Sequence, residues 1–164
     1  MQISTTSPLV VDKGNAVISD PSIPRLVAVT REAKRALRGA QDLPLTHFPF
    51  RVGRQCRSVS CNWMRLFGSR RRQRLEMSRT NDIYLVEPHY VDILSISREH
   101  FTVEHVGGRF FLIDRDSACG TIVAGKRVGG AGRVEGRTEL RSGDVIVVGP
   151  ENSRYVFRFE ASTG

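Results

Sequence analysis

An all-β sandwich is the fold class this 164-residue chain predicts, and three observations predict it. Short apolar segments recur at roughly 8–12-residue spacing with glycine-rich turns between them, the pattern of a sandwich rather than of alternating strands and helices. The stretch Ser97–Thr121 reads as a hairpin. Phe101, Val103 and His105 alternate with Thr102 and Glu104, the period of a half-buried strand; Gly107-Gly108 then offers a two-residue turn into the apolar run Phe110–Ile113. Finally, no internal repeat is visible, and the length suits one domain with a core able to stand alone.

Taken in order, residues 1–23 carry Ser, Thr, Asp, Gly and two prolines without sustained period, and predict a flexible tail. The domain is predicted over 24–161. Arg25–Thr30 is its first strand. Arg31–Leu37 alternates charge with alanine, which leaves a short helix stopped by Gly39 and a hairpin arm both open. Phe48–Arg54 is a strand ending in Gly53-Arg54, and a basic insertion follows at 57–80. Asn81–Val86 resumes strand character until Pro88 breaks it. Beyond the hairpin, Ala124-Gly125 turns between Thr121–Val123 and Lys126–Val128. A glycine-rich loop then leads to Thr138–Leu140, Asp144–Val148 and Tyr155–Phe159.

Charge narrows the partners. Arginine supplies 22 of the 25 cations, and the formal net charge is +8. Such a balance favours anionic partners, and arginine favours a two-pronged grip on phosphate or carboxylate. The segment Arg51–Arg79 holds nine arginines and one acid, Glu76, so it alone carries the whole excess. Within it Arg65, Arg70, Arg71, Arg72 and Arg74 form a basic patch with Trp63, Leu66 and Phe67 interleaved. That patch reads as a solvated loop, as an extension of a binding site toward acidic or multiply phosphorylated partners, or as a nucleic-acid contact. No apolar run approaches the roughly 20 residues of a membrane span. Met1–Val11 lacks the basic start and apolar core of a signal peptide. Three cysteines, an odd number, are expected as free thiols in a reducing cytoplasm.

Five motifs occur in sequence: Gly53-Arg54; Asn81-Asp82-Ile83; Ser97-Arg98-Glu99-His100; Ser117-Ala118-Cys119-Gly120-Thr121; and Leu140–Gly149. In that order, over about Arg25 to Glu160, the chain resembles a forkhead-associated (FHA) domain. The resemblance implies an FHA-like sandwich of about eleven strands, here with a long Arg-rich loop insertion, whose loops at one end bind phosphothreonine peptides in kinase signalling. It carries the phosphate contacts onto Arg54 and Ser97; Arg98, a cation beside Ser97, can add a direct or longer-range contact. The chemistry fits: phosphothreonine brings close to two negative charges and three acceptor oxygens, and an arginine fork with a serine hydroxyl and amide answers both. His100 is expected to brace the loops, with Thr121 as its partner, and Gly120 to supply a conformation or a close approach that a side chain would obstruct. Cys119 stands where the family has an asparagine that bonds the peptide backbone. A thiol bonds weakly, so a loss of about 0.5–1.5 kcal/mol of peptide contact is expected there while the phosphate grip stays. Ala118 also gives up a hydroxyl.

Other chemistries fail on the residues. Ser97 and His100 have no orienting acid, so they do not make a nucleophile and base. Gly120–Lys126 nearly spells a P-loop, but Arg127 stands where a Ser or Thr must hold magnesium. Cys56 and Cys61 lack a second pair at zinc spacing. No enzyme, cofactor or metal is therefore expected. The alternatives to phosphopeptide binding are an assembly or scaffold module with a weakened phosphate site, and nucleic-acid contact through the Arg-rich loop.

Overall fold

The computed structural model describes residues 22–55, 81–87, 94–131 and 135–162. Among them run β1 (Arg25–Ala28), α1 (Arg31–Ala36), β2 (Asp42–Pro44), β3 (Phe50–Arg54), β4 (Ile83–Leu85), β5 (Phe101–Val106), β6 (Arg109–Asp114), β7 (Thr121–Val123), β8 (Lys126–Val128), β9 (Arg137–Leu140), β10 (Val145–Val148) and β11 (Val156–Glu160). A six-stranded sheet, β2-β1-β11-β10-β7-β8, faces a five-stranded one, β4-β3-β5-β6-β9. This is the expected all-β sandwich. The insertion at 57–80 with its arginines, Cys56 and Cys61, and the tail up to residue 21 lie outside the described residues.

Alternation builds the core. Leu26, Ile146, Val148, Phe157 and Phe159 of the larger sheet are buried, as are Val52, Leu85, Phe101, Val103 and Leu112 of the smaller. Each such burial contributes about 1.5–3 kcal/mol. The β5–β6 hairpin closes as expected: Val106 pairs with Arg109, and Gly107 and Gly108 both take positive φ, 57° and 74°, as a type I′ turn requires.

Two local readings change. The open choice at Arg31–Leu37 resolves as a helix, because Thr30 caps it: its hydroxyl accepts from the Ala33 N–H at 3.3 Å. That cap ends β1 at Ala28. The apolar run Phe110–Ile113 is not uniformly interior, and only Leu112 is buried in it. Phe111 points to the outer face, where the Arg137 guanidinium lies 4.0 Å from its ring centre.

Register decides where the loops meet. Val52 pairs with Phe101, Phe101 with Asp114, and Val148 with Thr121. Arg54, Ser97–His100, Asp114–Gly120 and Gly149 therefore collect at one rim. Gly107-Gly108 lies at the other end.

Candidate functional site

Ser97 is fixed from three sides. Its carbonyl accepts from the Arg54 N–H at 2.8 Å, its own N–H donates to His100 Nδ1 at 3.0 Å, and its hydroxyl oxygen accepts from the Ala118 N–H at 3.0 Å. The two polar turns flanking the hairpin are thus joined through Ser97, as expected. One expectation is corrected. The Ser97 amide is committed to the histidine ring, so only the hydroxyl proton remains to donate outward.

His100 is buried and neutral. Because Nδ1 accepts from Ser97, the ring proton sits on Nε2, which donates to the Gly120 carbonyl at 2.9 Å. Gly120, not Thr121, is its partner. The Thr121 hydroxyl is buried, with no hydrogen-bond partner among the described residues. Burial pushes His100 below its ordinary value of 6.5; the bond to Gly120 and the Asp114 and Glu87 carboxylates oppose this more weakly.

Arg54 closes the other side. The sequence reads it as an open fork at a strand end. In the fold its side chain is only 12% exposed and ion-paired, with Nε 3.6 Å from Glu87 Oε2. Nε also donates to the Ile96 carbonyl at 2.9 Å and Nη1 to the Gln55 carbonyl at 3.3 Å. Among the described residues Nη2 makes no bond. The strand needs Gly53 here: a Cβ would overlap the Arg98 carbonyl oxygen and Asn81 Nδ2.

Two residues that order the rim carry little or no signal of that role in the sequence. Glu87, 7% exposed, accepts from the Ser95 and Ile96 N–H groups at 2.7 and 3.3 Å, so one carboxylate ties β4's exit to the Ser97 loop and to Arg54. Nothing in a lone Glu before Pro88 announces this. Asn81 donates to the Arg98 carbonyl at 2.7 Å and accepts from Arg115 Nη1 at 2.8 Å, and Arg115 pairs with Glu99 at 3.1 Å. Asn81 was legible as part of a motif, but its bridging was not. The Arg98 side chain is exposed, and its guanidinium has no partner among the described residues.

The second turn is a self-contained brace. Ser117 donates its hydroxyl to Asp114 Oδ1 at 2.5 Å and accepts from the Gly120 N–H at 2.9 Å; its own N–H reaches Asp114 Oδ2 at 3.0 Å. Gly120 has φ 71°, and a Cβ there would lie 2.8 Å from the Gly129 carbonyl oxygen and 2.9 Å from that of Val128. Both expected reasons for glycine hold. Ala118 is exposed and Cys119 half-buried as a free thiol. Arg127 Nη1 donates to the Cys119 carbonyl. Arg54, Ser97, Arg98, His100 and Ala118–Thr121 therefore share one rim. Arg65 and Arg70–Arg74 lie outside the described residues. An open cleft of about 460 Å³ lined by Ile23, Arg25, Ser142, Gly143 and Glu160–Ser162 sits at the opposite end, away from these groups.

The family model of the FHA domain matches residues 65–149, just over half of the chain, and the chain belongs to that family. The matched span takes in Asn81, the Ser97–His100 and Ser117–Thr121 turns and Gly149, and starts after Arg54. Solved structures share the fold. The FHA domain of the CT664 protein from Chlamydia trachomatis is 19% identical, with TM-score 0.51 over 87% of this chain and 100% of that one. The FHA domain of an Arabidopsis thaliana hypothetical protein is 21% identical, with TM-score 0.52 over 87% of this chain and 88% of that one. EmbR of Mycobacterium tuberculosis, solved with a low-affinity phosphopeptide, is 20% identical, with TM-score 0.51 over 87% of this chain. The match spans 25% of the EmbR chain. No curated protein matches the sequence.

Proposed function

We propose that this chain is a non-catalytic module that binds phosphothreonine in partner proteins of a cytoplasmic kinase-signalling pathway. One observation carries the reading: Ser97, the exposed Arg98 and Arg54 stand on one rim that is braced from beneath by His100, Glu87 and Asn81. Phosphate needs such a set, a short hydroxyl donor flanked by cations on a frame that does not reorganise. Membership of the FHA family and the phosphopeptide bound to EmbR support the same reading. The basic segment that leaves the rim after Arg54 suits acidic or multiply phosphorylated partners.

Calorimetric titration against a phosphothreonine peptide library tests it. Ser97→Ala and Arg54→Ala are each expected to lose about 1.5–3 kcal/mol of affinity, the scale of a hydrogen bond to a charged group. Arg54→Ala also strands the buried Glu87 carboxylate, so its folded state is first confirmed by circular dichroism. Equal binding of phosphorylated and unmodified peptides would overturn the proposal and leave the assembly-module reading, which the thiol at Cys119 and the Glu87-paired Arg54 favour.

A further inference from the structure

We infer that Arg127 makes the rim select a ligand carboxylate a short distance along the chain from the phosphothreonine; the inference rests on the phosphothreonine reading above. Arg127 lies on β8 opposite Ile122, one position further from the rim than the Thr121–Val128 pair. Its side chain climbs past that pair, and Nη1 hydrogen-bonds the Cys119 carbonyl. Cys119 follows Ala118, whose N–H is the group that meets the Ser97 hydroxyl. From that contact to the Arg127 anchor is a span of two peptide units, at most roughly 7 Å. An extended ligand covers this in about two residues.

The guanidinium at this place is exposed and, among the described residues, uses one of its donors on the carbonyl, while a guanidinium carries five. The acidic groups nearby are mostly committed elsewhere. Asp114 is held by Ser117, and Glu99 is paired with Arg115. Asp116 is exposed on the same turn. Lys126, also exposed, adds a second cation on the same edge strand. The Cys119 thiol offers a passing peptide little. The arginine bonded to that same residue offers a fork matched in shape to a carboxylate. Reading at this turn is thus moved from a neutral side chain to a charged one, and the ligand class it fits is a phosphothreonine peptide with an aspartate or glutamate nearby.

Fluorescence anisotropy on the full chain tests this. The probes are phosphothreonine peptides in an alanine–serine background, with one glutamate or one lysine moved through four positions on each side of the phosphothreonine, and their unphosphorylated counterparts. Wild type is expected to favour glutamate at one position by about fivefold, the scale of a partly exposed ion pair. Arg127→Met should bring that preference within twofold, and Arg127→Glu should turn it into a preference for lysine at the same position. Both variants should still distinguish phosphorylated from unmodified peptide. Both remove the anchor to Cys119, so only a charge-reading role predicts that they differ. A wild type that requires phosphate but ignores the glutamate scan overturns the inference alone, as does an Arg127→Glu variant that keeps the glutamate preference. Loss of phosphate dependence in both variants would make Arg127 a phosphate ligand and also overturn it. A wild type indifferent to phosphate overturns the underlying reading instead.

Discussion

His100 shows how a single ring can be made to serve two loops by being denied its charge. Accepting from the Ser97 N–H at Nδ1 while donating to the Gly120 carbonyl from Nε2 requires the neutral ring, since an imidazolium has no acceptor. Burial, the largest cause of the shift, lowers its pKa from 6.5, so the unfolded chain takes up a proton at a pH where the folded one does not. The sign follows: this stabilisation is fully present above about pH 6.5 and is lost as pH falls from there toward the folded value. The loss cannot exceed about 1.4 kcal/mol per pH unit for one proton. Denaturant unfolding of the wild type should therefore weaken more steeply below about pH 6.5 than that of a His100→Asn variant. Parallel slopes would show that the ring does not carry the effect. The same site holds an unbalanced neighbour. The Thr121 hydroxyl is buried without a partner among the described residues, which removes it as the second half of the brace and leaves the backbone of Gly120 in that role.

At the scale of elements, the parts legible in the sequence are those written in local spacing. Gly107-Gly108 had to turn because only positive φ at both positions matches the twist of the strands it joins, and Phe101 and Val103 are buried as their alternation requires, although Thr102 between them is buried too and His105, third in that series, is exposed. The placement of Glu87 and the bridging by Asn81 were not legible, because their partners lie across gaps of 8 to 34 residues. The same is true of Arg54. Spacing put it at a strand end but said nothing of the carboxylate that would meet it there. Gly53 joins the two levels: it was readable as half of a motif, and its physical reason is contact. β3 runs so close beneath the Ser97 loop that a methyl group would overlap the Arg98 carbonyl and the Asn81 amide. Gly53→Ala must push that loop away from β3. It is expected to cost about 1–3 kcal/mol of stability, as other overpacked sites do, and to reduce phosphothreonine-peptide affinity as Ser97 is displaced. Denaturant melts and a titration on the same preparation check this. A variant as stable and as tight as wild type would mean that the close approach does not position the loop.

Across the whole molecule, charge and fold are separated. The formal +8 resides between Arg51 and Arg79, while the remainder of the chain is balanced. Most of that segment belongs to the connection between β3 and β4, which run parallel with Val52 opposite Ile83, and it leaves from Arg54 at the rim. A field anchored there acts on ligands approaching the rim more than on the packing of the sandwich, whose stability comes from two buried sheet faces. Replacing Arg65, Arg70, Arg71, Arg72 and Arg74 with glutamine together should leave the melting temperature nearly unchanged. Association with an acidic phosphothreonine peptide should slow by about tenfold at low salt, the lower end of electrostatic steering. The difference should close near 1 M salt, where the screening length falls to about 3 Å. Stopped-flow binding across a salt series measures both limits. A deficit that persists undiminished at high salt would mean that these arginines contact the ligand directly rather than steer it. No deficit at low salt would mean that the charge of this segment serves something other than the rim.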